Sequence, residues 1–159
     1  MRDIIPQAPV DGRQSLRSLA IRRGVGRLLQ RLNFAFVAEL GLPDGRRVDM
    51  MALGPKGEIW IIEIKSSVAD FRSDRKWQDY AAFCDRLYFA TSADVPAAIF
   101  PEAAGLIVAD DYGAACVREA PNAALSPAAR RGLILRFART AAAALHLIHD
   151  PACEEKMVL

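Results

Sequence analysis

Apolar residues recur along this chain with two different periods, and the change from one to the other marks out its elements. Between Gly12 and Asn33, the residues Ile21, Val25, Leu28, Leu29 and Leu32 share one side at about 100° per residue, the spacing of a core-facing helix. Short apolar runs broken by turn residues follow. Leu42-Pro43-Asp44-Gly45-Arg46 and Gly54-Pro55-Lys56-Gly57-Glu58 carry the same x-Pro-x-Gly-x pattern. Each predicts a three-residue hairpin loop in which Pro takes the first corner of a type I turn and Gly supplies the positive φ that closes it, leaving the flanking residues paired. Ile59 to Ile64 is apolar on both faces, as in an inner strand covered by helices.

After Ser66-Ser67-Val68-Ala69-Asp70, a capped loop, the pattern predicts a helix from Phe71 to Cys84 with Trp77, Tyr80, Ala81 and Cys84 on its buried side. Arg86 to Thr91 is a fourth strand, and the helix before it makes a parallel crossover the expected connection. Leu106–Asp110 and Ala114–Arg118 flank Asp111-Tyr112-Gly113 as a further hairpin. Ser126-Pro127, a cap followed by proline, starts a helix that runs to about His149. Residues 1–12, with Pro6 and Pro9, read as a flexible N-terminal arm, 13–150 as a single domain and 151–159 as a tail.

The turns also set the strand register. Pairing Leu42 with Arg46 puts Glu39 opposite Asp49, and pairing Gly54 with Glu58 puts Asp49 opposite Glu63. Three carboxylates from three neighbouring strands then form one row, with Cβ atoms roughly 4.5 to 5.5 Å apart across each pair. Lys65, two residues past Glu63, projects from the same face. Like charges so placed repel, and a bound cation would convert that liability into a site. An acidic pair followed by such a lysine suits divalent-metal phosphodiester chemistry. The alternative is an ordinary set of cross-strand ion pairs, with Asp49 and Glu63 neutralised by Arg46, Arg47 or Lys65.

Length and composition narrow the classes. The 159 residues, 52% hydrophobic, suit one globular domain. No apolar stretch reaches the eighteen or so residues of a membrane span, and Met1-Arg2-Asp3-Ile4-Ile5-Pro6 lacks the apolar segment of a signal peptide, so a cytoplasmic chain with no membrane partner is expected. Three cysteines at wide spacing match neither a disulfide framework nor a zinc pattern. His146, His149 and Cys153 hint at ligand spacing, but Pro151 breaks the helix between them.

The net charge is only +2, yet six arginines and no acid lie between Gly12 and Asn33. Arg13, Arg17, Ala20, Gly24, Arg27 and Arg31 fall along one line of the helix, so two arginine pairs flank two small residues. That arrangement would let a phosphate backbone approach closely between guanidiniums; the plainer reading is a solvated, solubility-conferring face. Lys76 and Tyr80, one helical turn apart, could reach the same phosphate, or Tyr80 could be core with its hydroxyl at the surface.

The order helix, hairpin meander carrying Asp then Glu-x-Lys, helix, strand resembles the PD-(D/E)XK nuclease superfamily, and more closely the MmcB-like family of bacterial DNA repair endonucleases. The resemblance is carried by Gly45-Arg46-Arg47-Val48-Asp49, by Trp60-Ile61-Ile62-Glu63-Ile64-Lys65-Ser66-Ser67, by Asp70-Phe71-Arg72-Ser73-Asp74-Arg75-Lys76-Trp77 on to Tyr80, and by Cys84-Asp85 and Tyr88-Phe89-Ala90. It implies a three-layer α/β restriction-endonuclease-like fold, a central mixed β-sheet flanked by helices, with DNA as substrate. It further implies Asp49 and Glu63 as Mg²⁺ ligands, with Mn²⁺ as a possible substitute, the Ile64 carbonyl as a further oxygen, and Lys65 as the catalytic lysine. No small-molecule cofactor is expected, and cutting two strands with one site per chain would favour a homodimer. Val48 stands where the superfamily pattern has proline, and Lys76 where some relatives carry Gln. The first helix has no acid of the kind some members recruit; Glu39 is the candidate substitute. A catalytically silent DNA-binding protein of the same fold is the alternative.

Overall fold

The structure, a computed structural model, describes residues 15–153; the expected arm 1–12, Arg13 and residues 154–159 lie outside the described residues. Helix α1 (Leu16–Arg31) begins at Ser15, whose hydroxyl accepts the Ser18 N–H. Strands β1 (Ala35–Gly41), β2 (Arg47–Leu53) and β3 (Ile59–Ile64) follow, then the short helix α2 (Val68–Ser73), β4 (Arg86–Thr91), β5 (Gly105–Ala109), β6 (Ala114–Arg118) and the long helix α3 (Pro127–His149). The six strands form one sheet in chain order. The β3–β4 and β4–β5 pairs are parallel and the others antiparallel.

Both early hairpins adopt the turns their sequences dictate. Leu42 N donates to Arg46 O at 2.7 Å and Gly54 N to Glu58 O at 2.8 Å. Gly45 and Gly57 take φ of +86° and +88°, a region closed to most side chains. The register follows: Leu40 pairs with Val48, Ala38 with Met50, and Met50 with Ile62.

Each face of the sheet carries its own helical cover. Ile21, Val25, Leu28 and Leu29 of α1 pack on Met50, Ile62, Tyr88 and Ile107. Leu133 and Phe137 of α3, with Phe71, Trp77 and Tyr80 from the segment after β3, cover Met51, Ile61, Phe89 and Leu106 on the other side. Burying each such side chain contributes about 1.5–3 kcal/mol. Leu32, expected on the core stripe, is the C-cap of α1 and is exposed.

The expected continuous helix from Phe71 to Cys84 does not form. Instead α2 stops at Ser73, and Trp77–Phe83 makes a 3-10 helix. The cause is Asp74, which adopts an extended conformation and turns its carboxylate to accept the Lys76 N–H at 2.9 Å while pairing with Lys65 at 2.7 Å. A short polar side chain that competes for backbone N–H groups ends helices in this way. As a result Ala81 is exposed rather than buried. At about three residues per turn, Lys76 and Tyr80 also no longer share a face.

Candidate metal centre

Asp49 and Glu63 sit where the sheet's hydrogen-bond ladders lapse. The β2–β3 pairing runs from Leu53 with Ile59 to Met50 with Ile62, and there it stops. Beyond it the carboxyl groups replace the missing carbonyl acceptors: Asp49 N donates to Glu63 Oε1 at 3.1 Å and Ile64 N donates to Asp49 Oδ2 at 2.7 Å. On the other side of β2 the pairing skips from Ala38–Met50 to Leu40–Val48, and the residue left over on β1, Glu39, takes a φ of +56°. That left-handed conformation costs a non-glycine residue about 1–3 kcal/mol, and such outliers concentrate at functional sites. Val48 packs with Met51 while Met50 packs under α1, so the alternation of faces breaks at Asp49.

Among the described residues neither carboxylate forms an ion pair. Arg46 pairs with Asp79 and, at 3.8 Å, with Asp44; Arg47 lies 3.8 Å from Glu39; Lys65 pairs with Asp74. Among the described residues no cation approaches Asp49 or Glu63 within 4.0 Å, which removes the ordinary cross-strand ion-pair reading. Glu63 is 4% exposed. Burial first, and then the facing Asp49 charge, push its carboxyl up to about 8. Asp49 is also raised, by burial, with Asp70 and Glu39 adding repulsion and the Ile64 N–H and Lys65 opposing it. One buried and one partly buried carboxylate that cannot comfortably ionise together, with Asp49 Oδ1 and Glu63 Oε2 accepting no hydrogen bond from the described residues, are a donor set that suits a hard divalent cation.

Lys65 stands beside this pair but is held from elsewhere. Its Nζ is 2.7 Å from Asp74 Oδ2, and both side chains are largely buried. Burial alone would lower its pKa; the Asp74 bond and charge, with Glu63 and Asp70 behind them, outweigh burial and keep the ammonium charged. The same pairing holds Asp74 below the usual carboxylate range against the effect of burial. Asp70 fixes the chain leaving β3: its carboxylate accepts the Ser66 N–H at 2.9 Å while its own N–H donates to Ser67 Oγ, a reciprocal cap. Tyr80 is half-buried, and burial and then the charges of Glu63, Asp74 and Asp49 push its phenol up to about 12. The fold thus brings Glu39, Asp49, Glu63, Lys65 and Tyr80 together. Asp70 and Asp74, which no sequence argument assigned to the site, complete it; the signal was their place within the motif after Lys65. Lys76 is exposed at the start of the 3-10 helix.

The arginine line on α1 meets protein where open space was expected. Gly24 is buried, and a Cβ there would lie 2.2 Å from Asp110 O and 2.4 Å from Gly113 O. The gap between the arginine pairs is filled by the β5–β6 turn, which corrects the premise that a phosphate backbone enters it. Arg27 donates to Tyr112 O and Arg31 to Ala114 O, each at 3.0 Å. Arg17, half-exposed, reaches both the Ser66 carbonyl beside Lys65 and Asp94. At the far end of the chain the structure gathers His146, Asp150 and Cys153, with ligand atoms within 4.8 Å, in place of the His146, His149 and Cys153 set considered from sequence.

A six-stranded mixed sheet between helical layers, with a largely enclosed acidic pair and a buried lysine where β2 and β3 part, is an α/β fold of restriction-endonuclease-like arrangement. The chain belongs to the MmcB-like family: the family model described as "DNA repair protein MmcB-like" matches residues 5–152. A solved structure, the SPO1766 protein of unknown function from Silicibacter pomeroyi, is 44% identical and superposes with a TM-score of 0.86, covering 91% of this chain and 99% of that one. Comparison with curated proteins gives no match. The family points to a role in DNA repair. Among the described residues no helix is long and apolar enough to cross a membrane.

Proposed function

We propose that this protein is a metal-dependent deoxyribonuclease of DNA repair, with Asp49, Glu63 and Lys65 as its catalytic residues. The observation that carries the reading is the Asp49–Glu63 pair, Glu63 buried and Asp49 partly buried, in which Asp49 N donates to Glu63 Oε1 and Ile64 N to Asp49 Oδ2 while no cation among the described residues lies within 4.0 Å of either carboxylate. Asp49 and Glu63, with the Ile64 carbonyl and Glu39 as further oxygens, would hold Mg²⁺ or, in its place, Mn²⁺. When bound, such an ion offsets charge on phosphoryl oxygens and lowers the pKa of a coordinated water. Lys65, kept protonated and aimed by Asp74, presents a fixed ammonium to the charge that develops on the scissile phosphate. Tyr80, its phenol neutral, borders the same acidic group and can donate to a phosphate oxygen. Arg17 can neutralise a neighbouring phosphate. We further propose that Lys76 and the arginines of α1 that remain exposed add non-specific contacts, that the protein acts in the cytoplasm, and that double-strand cutting would require a homodimer.

Nicking of supercoiled plasmid with Mg²⁺ or Mn²⁺ tests this. The wild type should nick, EDTA should stop it, and Asp49→Ala, Glu63→Ala and Lys65→Ala should each abolish it with circular dichroism unchanged. Cleavage by purified Lys65→Ala at the wild-type rate would remove the mechanism, and a wild type that shifts DNA without nicking it would be a binder only.

A further inference from the structure

The parallel strands β3, β4 and β5 end together, since Ile64 pairs with Ala90 and Thr91 with Val108. The β5–β6 turn therefore lies at the same end of the sheet as Lys65, two strand spacings or roughly 10 Å away. Beside that turn, against α1 and the end of β4, runs a groove of about 620 Å³ lined by Arg17, Ala20, Ser92, Asp110, Asp111 and Tyr112 among others. Arg17, donating to Ser66 O, joins that groove to the chain that leaves the metal centre.

Tyr112 stands at its rim and is 84% exposed. The backbone beneath this ring is fixed. Asp110 Oδ1 accepts the N–H groups of Tyr112 and Gly113, Asp110 N donates to Gly113 O, Arg27 donates to Tyr112 O, and Gly24 of α1 is pressed against the turn. The ring is thus presented by a braced turn, which lowers the ordering cost of any contact it makes. The charged residues of the lining are one arginine and two aspartates. Away from Arg17, the carboxylate-lined part of that groove repels phosphate. It suits a neutral planar group whose amino hydrogens can meet a carboxylate, and an aromatic face on which that group can stack.

We propose that the groove takes an unpaired nucleobase stacked on Tyr112, so that the substrate presents a single-stranded or frayed nucleotide beside the metal centre while its phosphates follow Arg17. This rests on the nucleic-acid reading above and names the form of DNA. Base stacking on an aromatic side chain is sequence-tolerant because every base has a π-face, and a duplex, whose bases are already stacked on each other, cannot use it without extrusion. The Arg17–Asp94 and Arg23–Asp111 pairs are both about half exposed and therefore weak, so either guanidinium can exchange its carboxylate for a phosphate.

The test is fluorescence anisotropy of the full chain with a short labelled single strand and with the blunt duplex of the same sequence, in EDTA so that nothing is cut. Tyr112→Ala should weaken single-strand binding about tenfold and leave duplex binding unchanged, while Tyr112→Phe should bind like the wild type. Single-strand affinity in Tyr112→Ala within about twofold of the wild type, or an equal loss on the duplex, overturns the proposal. The plasmid assay is a separate readout. A wild type that shows the Tyr112-dependent preference but never nicks upholds this contact and brings down only the cleavage reading; nicking without the preference does the reverse.

Discussion

Lys65 Nζ lies 2.7 Å from Asp74 Oδ2, so the ammonium beside the acidic pair is positioned by a residue from the far side of α2. The strand sets the position of Lys65 just past the end of β3, and the break in the helix sets its direction. Removing one partner of a largely buried ion pair leaves the other uncompensated, at a cost of about 3–5 kcal/mol. Asp74→Asn should therefore lower the urea midpoint and slow nicking without touching a metal ligand. Wild-type nicking and an unshifted midpoint would show that Lys65 needs no such support.

Glu63 makes the metal-free protein sensitive to pH in an unusual direction. Its carboxyl is raised in the fold, so the folded state binds more protons than the unfolded state from about pH 4.5 to about 8, and stability from this group falls as pH rises through that window. In EDTA, the Tm of Glu63→Gln relative to the wild type should climb between pH 5 and pH 8. A constant difference across the window would mean that Glu63 titrates normally.

Added Mg²⁺ should reverse that loss, because a ligand that binds only the folded state stabilises it by about 2.7 kcal/mol at a hundred times its Kd. Thermal denaturation at pH 8 should show a Tm gain for the wild type and none for Asp49→Asn or Glu63→Gln. Equal gains in all three would place the ion elsewhere.

Asp85 behaves in the opposite sense. Arg130, through two bonds of 2.6 and 2.7 Å, and the N–H groups of Ile59 and Leu125 hold its carboxyl down to about 2. Its contribution is present above the ordinary carboxylate range and lost as pH falls through about 2. Asp85→Ala should destabilise by about 3 kcal/mol, read by urea denaturation, since it removes the partner of Arg130 and of the Ile59 and Leu125 amides, at the opposite end of β3 from the metal centre. Nicking at permissive temperature should persist.

Gly24→Ala tests the packing of α1 on the β5–β6 turn. The new Cβ would meet two backbone oxygens at 2.2 and 2.4 Å, atoms that cannot swing aside, so helix and turn must part. A loss of about 3 kcal/mol is expected in thermal or urea unfolding. A neutral result would mean that the turn moves freely, and the braced platform under Tyr112 would go with it.

Local chemistry in the chain was enough to determine much of this molecule. The two Pro-x-Gly loops set the register that puts Asp49 opposite Glu63, because a tight turn leaves its flanking residues only one way to pair. The apolar run Ile59–Ile64 marked the inner strand, and the Ser126-Pro127 cap marked the start of α3. What local pattern could not carry were contacts across long separations. Asp74 ended a helix that periodicity had extended, because Lys65 drew its carboxylate away. Arg27 and Arg31 met the backbone of a turn more than eighty residues later, where the sequence showed only a charged helix face. Periodicity records which way a side chain points, and only the assembled sheet and helices decide what stands in front of it.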